Sequence, residues 1–185
     1  MLNENELWLL SFYRLSEING AEFFAKLAKT IRDPQISADL TRHFSEEAQH
    51  AWYFTDLIHN LGHKPIRLNR AYQDQYLDNI GIPANIMEIL AITQVFERRV
   101  INHYAKQSRL QQKNPAISQT FTRIMDDEYW HLKWVNDALT TLEPRFGKEN
   151  IENTIKHYSE IDKDIYGKLT LEHEQRFAHQ HTQEQ

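Results

Sequence analysis

Residues 40–62 read LTRHFSEEAQHAWYFTDLIHNLG, and this stretch decides the fold. Its apolar residues recur at steps of three and four on one face, which includes Leu40, Phe44, Phe54 and Leu57. This spacing predicts an amphipathic helix that buries that face. Two ionisable residues, Glu47 and His50, fall on that same apolar face. Because a buried, unpaired carboxylate is strongly destabilising, the inward position of these two side chains needs a chemical reason.

Three other long segments have the same helical period, and each also places a glutamate on its apolar face. The predicted helices span about residues 5–31, 35–61, 84–111 and 115–142, and the four inward glutamates are Glu17, Glu47, Glu97 and Glu128. The fourth helix repeats the Glu-x-x-His spacing of the second, with His131 as its histidine. Four carboxylates in one space would repel one another, whereas two divalent metal ions would match their charge.

The connections between these helices predict an all-α, ferritin-like four-helix bundle. The joins are short, long and short, and the long crossover covers about residues 62–85, with the third helix starting near Pro83. A fifth helix is expected at about 149–175, which gives a single domain over 1–175 and a polar tail over 176–185.

Composition excludes several classes of function. The 185 residues carry a formal net charge of −5 and no Lys/Arg cluster, which argues against nucleic acid as a partner. There is no Cys, so disulfides, thiolate metal sites and a cysteine nucleophile are excluded. The sequence has no run of apolar residues long enough for a membrane span, and we therefore expect a cytoplasmic protein.

The choice among the acidic and histidine residues follows from their positions on the helices. Glu22 lies off the apolar face and can pair with Lys26, so Glu17 is the better candidate. Glu97 is expected to face inward because Arg98 and Arg99 take the outward positions. The histidines outside the two motifs are interpreted as surface or loop residues: His43, His59, His63, His103, His157, His173, His179 and His181.

The order of these motifs resembles that of the ferritin-like carboxylate-bridged diiron proteins, over about residues 5–142. The separation of Glu17 from Glu47 is similar to that in enzymes of the superfamily, such as ubiquinone-biosynthesis hydroxylases and aldehyde-deformylating oxygenases. The stretches SEINGAEFF, TRHFSEEAQHAW, TQVFERRV and DDEYWHLKWV resemble a bacterial group of small ferritin-like proteins.

This resemblance implies a role for each motif residue. Glu17 and Glu97 would be terminal ligands, Glu47 and Glu128 would bridge two iron ions, and His50 and His131 would each supply one nitrogen. A manganese–iron pair is the alternative. Outside the ligands, Asp127 would accept a hydrogen bond from His50, and Glu46 would accept one from His131 or else face water. Tyr104 is the candidate for a hydrogen bond to a ligand carboxylate.

Two departures separate the chain from other members of the superfamily. It lacks the Cys-rich iron domain that usually accompanies rubrerythrins, and its fifth helix is longer than the short terminal helix of ferritin cages. That helix carries Tyr158, Asp162 and Tyr166 at four-residue steps, which indicates a helix laid against the bundle.

Three functions are compatible with the sequence. The first is a diiron oxidoreductase that activates O₂ to oxidise an unidentified, small apolar organic substrate, with an electron donor as a further partner. The alternative is a ferroxidase or iron-handling protein without an organic substrate. The third is a non-catalytic core of hydrogen-bonded carboxylates. A homodimer is the expected assembly, as dimers are the most frequent oligomers.

Overall fold

The computed structural model describes residues 2–111 and 114–178, and within them the secondary structure is entirely helical. The helices are α1 (Glu4–Ala28), α2 (Pro34–Asn60), α3 (Tyr72–Ile80), α4 (Ile86–Leu110), α5 (Pro115–Phe146) and α6 (Lys148–Ala178). Residues 179–185 of the predicted polar tail, with His179 and His181, lie outside the described residues, and Arg176–Ala178 belong to α6.

The predicted ferritin-like bundle is confirmed. Helix α1 packs along α2, α4 packs along α5, and α2 and α5 join the two pairs. The long crossover runs from α2 to α4, and α6 lies against α4 and α5. The apolar side chains of the four bundle helices form one continuous core, so the inward glutamates of all four helices converge in its interior.

Local capping chemistry sets the helix starts. The Asn3 side chain accepts a hydrogen bond from the backbone N–H of Glu6, and the Glu6 carboxylate accepts one from Asn3 N in return, which makes a capping box. Asp33 caps α2 ahead of Pro34. Asn85 caps α4, so this helix begins at Ile86, three residues after Pro83, near which its start is predicted.

The crossover differs from the sequence expectation because it contains a helix of its own, α3. The backbone N–H of Ala71 donates to the Asp74 carboxylate 2.7 Å away at the start of this helix. Tyr76 then buries its ring against Phe96 of α4, with the ring centroids 4.3 Å apart. One buried aromatic residue thus anchors a segment too short to show a clear helical period in the sequence.

Helix α6 explains the regular spacing noted in the fifth segment. Tyr158 and Asp162 are buried, and the Asp162 carboxylate pairs with Arg99 of α4. The Arg99 guanidinium also lies over the Tyr166 ring, 3.7 Å from its centroid. Arg99 therefore does not point to solvent as expected; it links α6 to α4 two residues after Glu97. None of the helices in the described part of the chain combines the length and apolarity that crossing a membrane requires.

Candidate metal centre

The six motif residues all lie buried in the middle of the bundle. Glu17 comes from α1, Glu47 and His50 from α2, Glu97 from α4, and Glu128 and His131 from α5. Together with the side chain of His43, their side chains form two overlapping groups, in each of which one ligand atom per residue lies within 4.8 Å of the others. One group contains Glu17, Glu47, His50 and Glu128; the other contains His43, Glu47, Glu97 and His131.

Each motif histidine turns one ring nitrogen to the centre. Nδ1 of His50 lies 3.2 Å from Oε1 of Glu128 and 3.3 Å from Oε2 of Glu17. Nδ1 of His131 lies 3.3 Å from the other carboxylate oxygen of Glu128 and 3.6 Å from Glu97. The two oxygens of Glu128 therefore face different histidines, one from each group.

The second nitrogen of each histidine faces an acidic residue that precedes the opposite motif. Nε2 of His50 lies 3.2 Å from Oδ2 of Asp127, and Nε2 of His131 lies 3.1 Å from Oε2 of Glu46. A carboxylate accepts the Nε2 proton in each case, so Nδ1 is the nitrogen left for a metal ion. Hydrogen bonding to His50 lowers the pKa of Asp127, and hydrogen bonds from His131 and Arg42 outweigh burial and lower that of Glu46.

Tyr104 approaches the centre from α4. Its hydroxyl donates a hydrogen bond to Oε1 of Glu17, and its ring packs edge-on against Tyr13 with centroids 5.1 Å apart. Burial, followed by the charges of Glu17 and Glu128, raises the pKa of the Tyr104 hydroxyl, which stays protonated and acts as a donor. A buried phenol thus orients the carboxylate of the α1 glutamate.

A glycine on α1 makes room for one of the carboxylates. A Cβ atom built on Gly20 would overlap Oε2 of Glu47, well inside contact distance. Glycine is unfavourable inside a helix by roughly 0.5–1 kcal/mol relative to alanine. The close approach of Glu47 gives a physical reason for a glycine at position 20.

Burial and mutual repulsion perturb the ionisation of the central carboxyl groups. Burial, together with the charges of Glu17 and Glu128, raises the pKa of Glu47, and burial raises that of Glu97 to about 8. Burial alone would do the same to Glu128, but the neighbouring imidazoles of His131 and His50 hold its pKa far below its usual range. Neighbouring carboxylates outweigh burial and raise the pKa values of His50 and His131. The metal-free centre therefore keeps a proton on Glu97 at neutral pH.

The donor set fits two metal ions of the iron or manganese type. Carboxylate oxygens and imidazole nitrogens are the ligands that these ions accept. Among the described residues, Nδ1 of His50 and Oε1 of Glu128 are buried without a hydrogen-bond partner, although they lie 3.2 Å apart. Buried polar atoms normally have partners, so this pair marks a position where a cation would satisfy both.

Two histidines expected at the surface or in loops are in fact buried, and that interpretation was wrong. His43 is fully buried on α2 beside Glu47 and Glu97, while Phe44, expected on the apolar face, is 37% exposed. His103 on α4 is buried, with Nε2 2.9 Å from the Tyr13 hydroxyl. A signal for His43 was present, since it precedes Glu47 by one helical turn and His50 by two.

A cavity of about 390 Å³ reaches the centre between α1, α3, α4 and α6. All four central glutamates line its inner end. Most of its wall is apolar and aromatic, and includes Phe12, Phe23, Phe24, Ile92, Phe96, Val100, Tyr166 and Leu169. Its volume and lining are those of a site for a small organic molecule.

The protons held in the centre predict how the stability of the metal-free protein depends on pH. At pH 7 the folded chain keeps a proton on Glu97 that the unfolded chain has released, and the raised pKa values of Glu47, His50 and His131 act in the same direction. Because its folded-state pKa is raised, the stability that Glu97 contributes declines as pH rises above the ordinary value of 4.5, and the decline ends above about pH 8. The expected slope is about 1.4 kcal/mol per pH unit for each proton that the folded chain holds and the unfolded chain has released.

Urea unfolding of the metal-free protein between pH 7 and 9 measures this loss. The matched variant Glu97→Gln should show a shallower decline below about pH 8, because its folded state no longer holds the extra Glu97 proton. The lowered pKa of His43, caused by burial and by His131, affects stability only below about pH 6.5, the ordinary value for histidine. A stability that is constant or rises over this range would contradict the assignment.

One comparison with known proteins identifies a relationship. A family model described as ubiquinone biosynthesis protein COQ7 matches residues 17–162 of the chain. This range begins at the α1 glutamate, includes both Glu-x-x-His motifs and ends at the buried Asp162 of α6. No curated protein and no solved structure matches the chain.

Proposed function

Because the chain belongs to the COQ7 family of ubiquinone biosynthesis proteins, we propose that it hydroxylates a small, ring-containing apolar substrate with O₂ at a dimetal centre. The family consists of diiron hydroxylases, and the enzyme class predicted from the motifs is the one that the family has. The substrate class is our proposal, and the cavity that ends on the four central glutamates is the observation that carries it.

The residues proposed as metal ligands are those of the two motifs and the two single glutamates. Glu17 and His50 would hold one ion, Glu97 and His131 the other, and Glu47 and Glu128 would lie between them. When bound, two ferrous ions would supply two electrons and positions at which O₂ can bind. Asp127, Glu46 and Tyr104 would fix the orientations of the ligands around them.

The cavity wall indicates what the substrate would look like. Aromatic side chains from four helices would enclose a flat apolar ring and keep water away from the centre. Two polar atoms of this wall, Oγ of Ser16 and Oε1 of Gln73, have no hydrogen-bond partner among the described residues. They would accept hydrogen bonds from hydroxyl groups on the ring, which makes a substituted benzoquinol the first compound to test.

A single-turnover experiment tests the proposal. The protein is loaded anaerobically with two Fe(II) per chain, given a benzoquinol with a short alkyl side chain, and mixed with ¹⁸O₂. Two electrons from the metals, two protons and O₂ would convert one ring C–H to C–OH and release one water. We expect up to one ¹⁸O-labelled hydroxylated product per centre by mass spectrometry.

The alternative function, ferroxidase activity without an organic substrate, gives a different result in the same experiment. A ferroxidase would oxidise Fe(II) well beyond two per chain when more is added, and would leave the benzoquinol unchanged. The apolar cavity favours the hydroxylase, because Fe²⁺ alone needs a polar route to the centre. No labelled product together with continued Fe(II) oxidation would reject the proposal.

Narrowing the cavity separates substrate binding from metal chemistry. Val100 lines the cavity on α4, one turn after Glu97. We expect Val100→Phe to reduce product formation roughly 10-fold or more, because a lost or misplaced substrate forfeits the proximity that the cavity provides. Binding of two metals should be unchanged. Loss of metal binding would show that the substitution disturbed the centre, and full activity would show that the substrate lies elsewhere.

A further inference from the structure

His43 contacts the metal-ligand candidates although it belongs to neither Glu-x-x-His motif. Its ring is fully buried, and Nε2 lies 3.2 Å from Oε1 of Glu47 and 3.5 Å from Oε1 of Glu97. The imidazole stacks on that of His131, with ring centroids 3.6 Å apart. The side chain is therefore close enough to the centre either to bind a metal ion or to act on the carboxylates that do.

Trp134 on α5 decides which nitrogen of His43 carries the proton. Its indole Nε1 lies 3.2 Å from Nδ1 of His43 and is buried with it. An indole N–H can only donate, so Nδ1 must accept and can carry no proton. An imidazolium would place two N–H groups against each other. The ring is therefore neutral, with its proton on Nε2.

This tautomer decides whether His43 can be a metal ligand or can only act on the carboxylates that are. Nε2 cannot bind a metal ion while it holds a proton, and Nδ1 is occupied by Trp134. The Nε2–H instead donates a hydrogen bond to Oε1 of Glu47 and lies close to Oε1 of Glu97. We propose that His43 is a positioning residue: Trp134 holds it as the Nε2–H tautomer, and this N–H orients the carboxylates of Glu47 and Glu97 for one of the two metal ions.

Each of the two metal positions would then have a terminal carboxylate with a neutral hydrogen-bond donor beside it. The terminal carboxylate of Glu17 receives a hydrogen bond from the Tyr104 hydroxyl, and that of Glu97 lies against the His43 N–H. A neutral donor next to each terminal carboxylate leaves the charge of the ligand set unchanged, which the two cations need. The inference rests on the proposed function only in requiring that the centre binds two metals.

The tautomer can be tested in the metal-free protein, independently of metal binding and activity. Long-range ¹H–¹⁵N NMR correlations of the imidazole rings distinguish a protonated from an unprotonated nitrogen. We expect His43 to be neutral at pH 7, with a protonated Nε2 and an unprotonated Nδ1, and we expect Trp134→Phe to weaken this preference. A protonated Nδ1 in the wild-type protein would overturn the proposal.

The effect on the centre is tested by Mn(II) titration, monitored by electron paramagnetic resonance. His43→Leu should weaken binding of one of the two Mn(II) ions roughly 10-fold or more, the loss typical of removing an outer partner of a metal ligand. His43→Gln, whose amide can place an N–H near the same point, should restore most of the affinity. Trp134→Phe should produce a smaller loss, and circular dichroism of each metal-free variant checks the fold.

Pulsed electron paramagnetic resonance of the Mn(II)-loaded protein distinguishes a positioning role of His43 from a role as a metal ligand. The number of imidazole nitrogens coupled to Mn(II) should be the same in wild type and in His43→Gln. Loss of one coupled nitrogen would make His43 a ligand and overturn the proposal, as would unchanged Mn(II) affinity in His43→Leu. A wild-type chain that binds no Mn(II) would reject the dimetal centre itself. The NMR measurement would still report the tautomer of His43, because it is made on the metal-free protein.

Discussion

Replacing Glu128 by glutamine is expected to remove the dimetal centre while leaving the fold in place. The carboxylate of Glu128 is the group that the two motif histidines share, with one oxygen facing His50 and the other facing His131. Glutamine has nearly the same shape but no charge and only one oxygen, so it cannot bridge two cations. We expect at most one metal per chain instead of two.

The loss of activity should be correspondingly large. Two metal ions in one site contribute several kcal/mol to the stabilisation of charge in the reaction. At about 1.4 kcal/mol for each factor of ten, O₂-dependent product formation should fall by roughly 10³ or more. Metal content after anaerobic loading and single-turnover product yield are the two measurements.

Asp126 provides the matched control for this variant. It is an exposed carboxylate on the same helix, two residues before Glu128. Asp126→Asn removes one negative charge from α5 without touching the centre, and should bind two metals with wild-type activity. Equal metal binding by Glu128→Gln and wild type would show that Glu128 does not bridge, and the ligand assignment would have to be abandoned.

Replacing Gly20 by alanine is expected to damage the centre through a single methyl group. The new Cβ would take the space of Oε2 of Glu47 and force the carboxylate to turn away. A displacement of about 1 Å from the productive geometry can reduce activity roughly 10²-fold. Metal affinity should fall as well, since Glu47 belongs to both ligand groups.

The metal-free fold should tolerate this change, which makes the prediction specific to the centre. Alanine is favoured over glycine inside a helix by roughly 0.5–1 kcal/mol, and this gain offsets the cost of turning the Glu47 side chain. Gly167 in α6 is the control, because a Cβ there meets nothing within 4 Å. Gly167→Ala should stabilise the protein slightly and leave metal binding unchanged. Wild-type metal affinity in Gly20→Ala would show that Glu47 takes another position when metal binds.

The family match confirms the superfamily to which the order of the motifs pointed. The same order predicted the all-α bundle and its single long crossover, which the structure confirms. The proposed ligand roles remain predictions, although the structure brings all six side chains together. The contacts of Asp127, Glu46 and Tyr104 with their expected neighbours are present.

The sequence by itself determined those features that depend on periodicity along a helix. A step of three or four residues places two side chains on one face wherever the helix lies, so Glu128 and His131 had to project together. Likewise, a glutamate on an apolar stripe is inward in any arrangement of the four helices. The convergence of four such stripes followed from the lengths of the connections.

Only the tertiary structure decided which residues at the edges of those stripes turn inward. His43 and Phe44 are neighbours, and hydrophobicity favoured burying Phe44; the rotation of α2 against α5 instead buries His43 beneath Trp134. Similarly, Arg99 turns towards α6 because Asp162 is buried there. These choices depend on partners far away in the sequence, and no local period encodes how one helix is rotated against another.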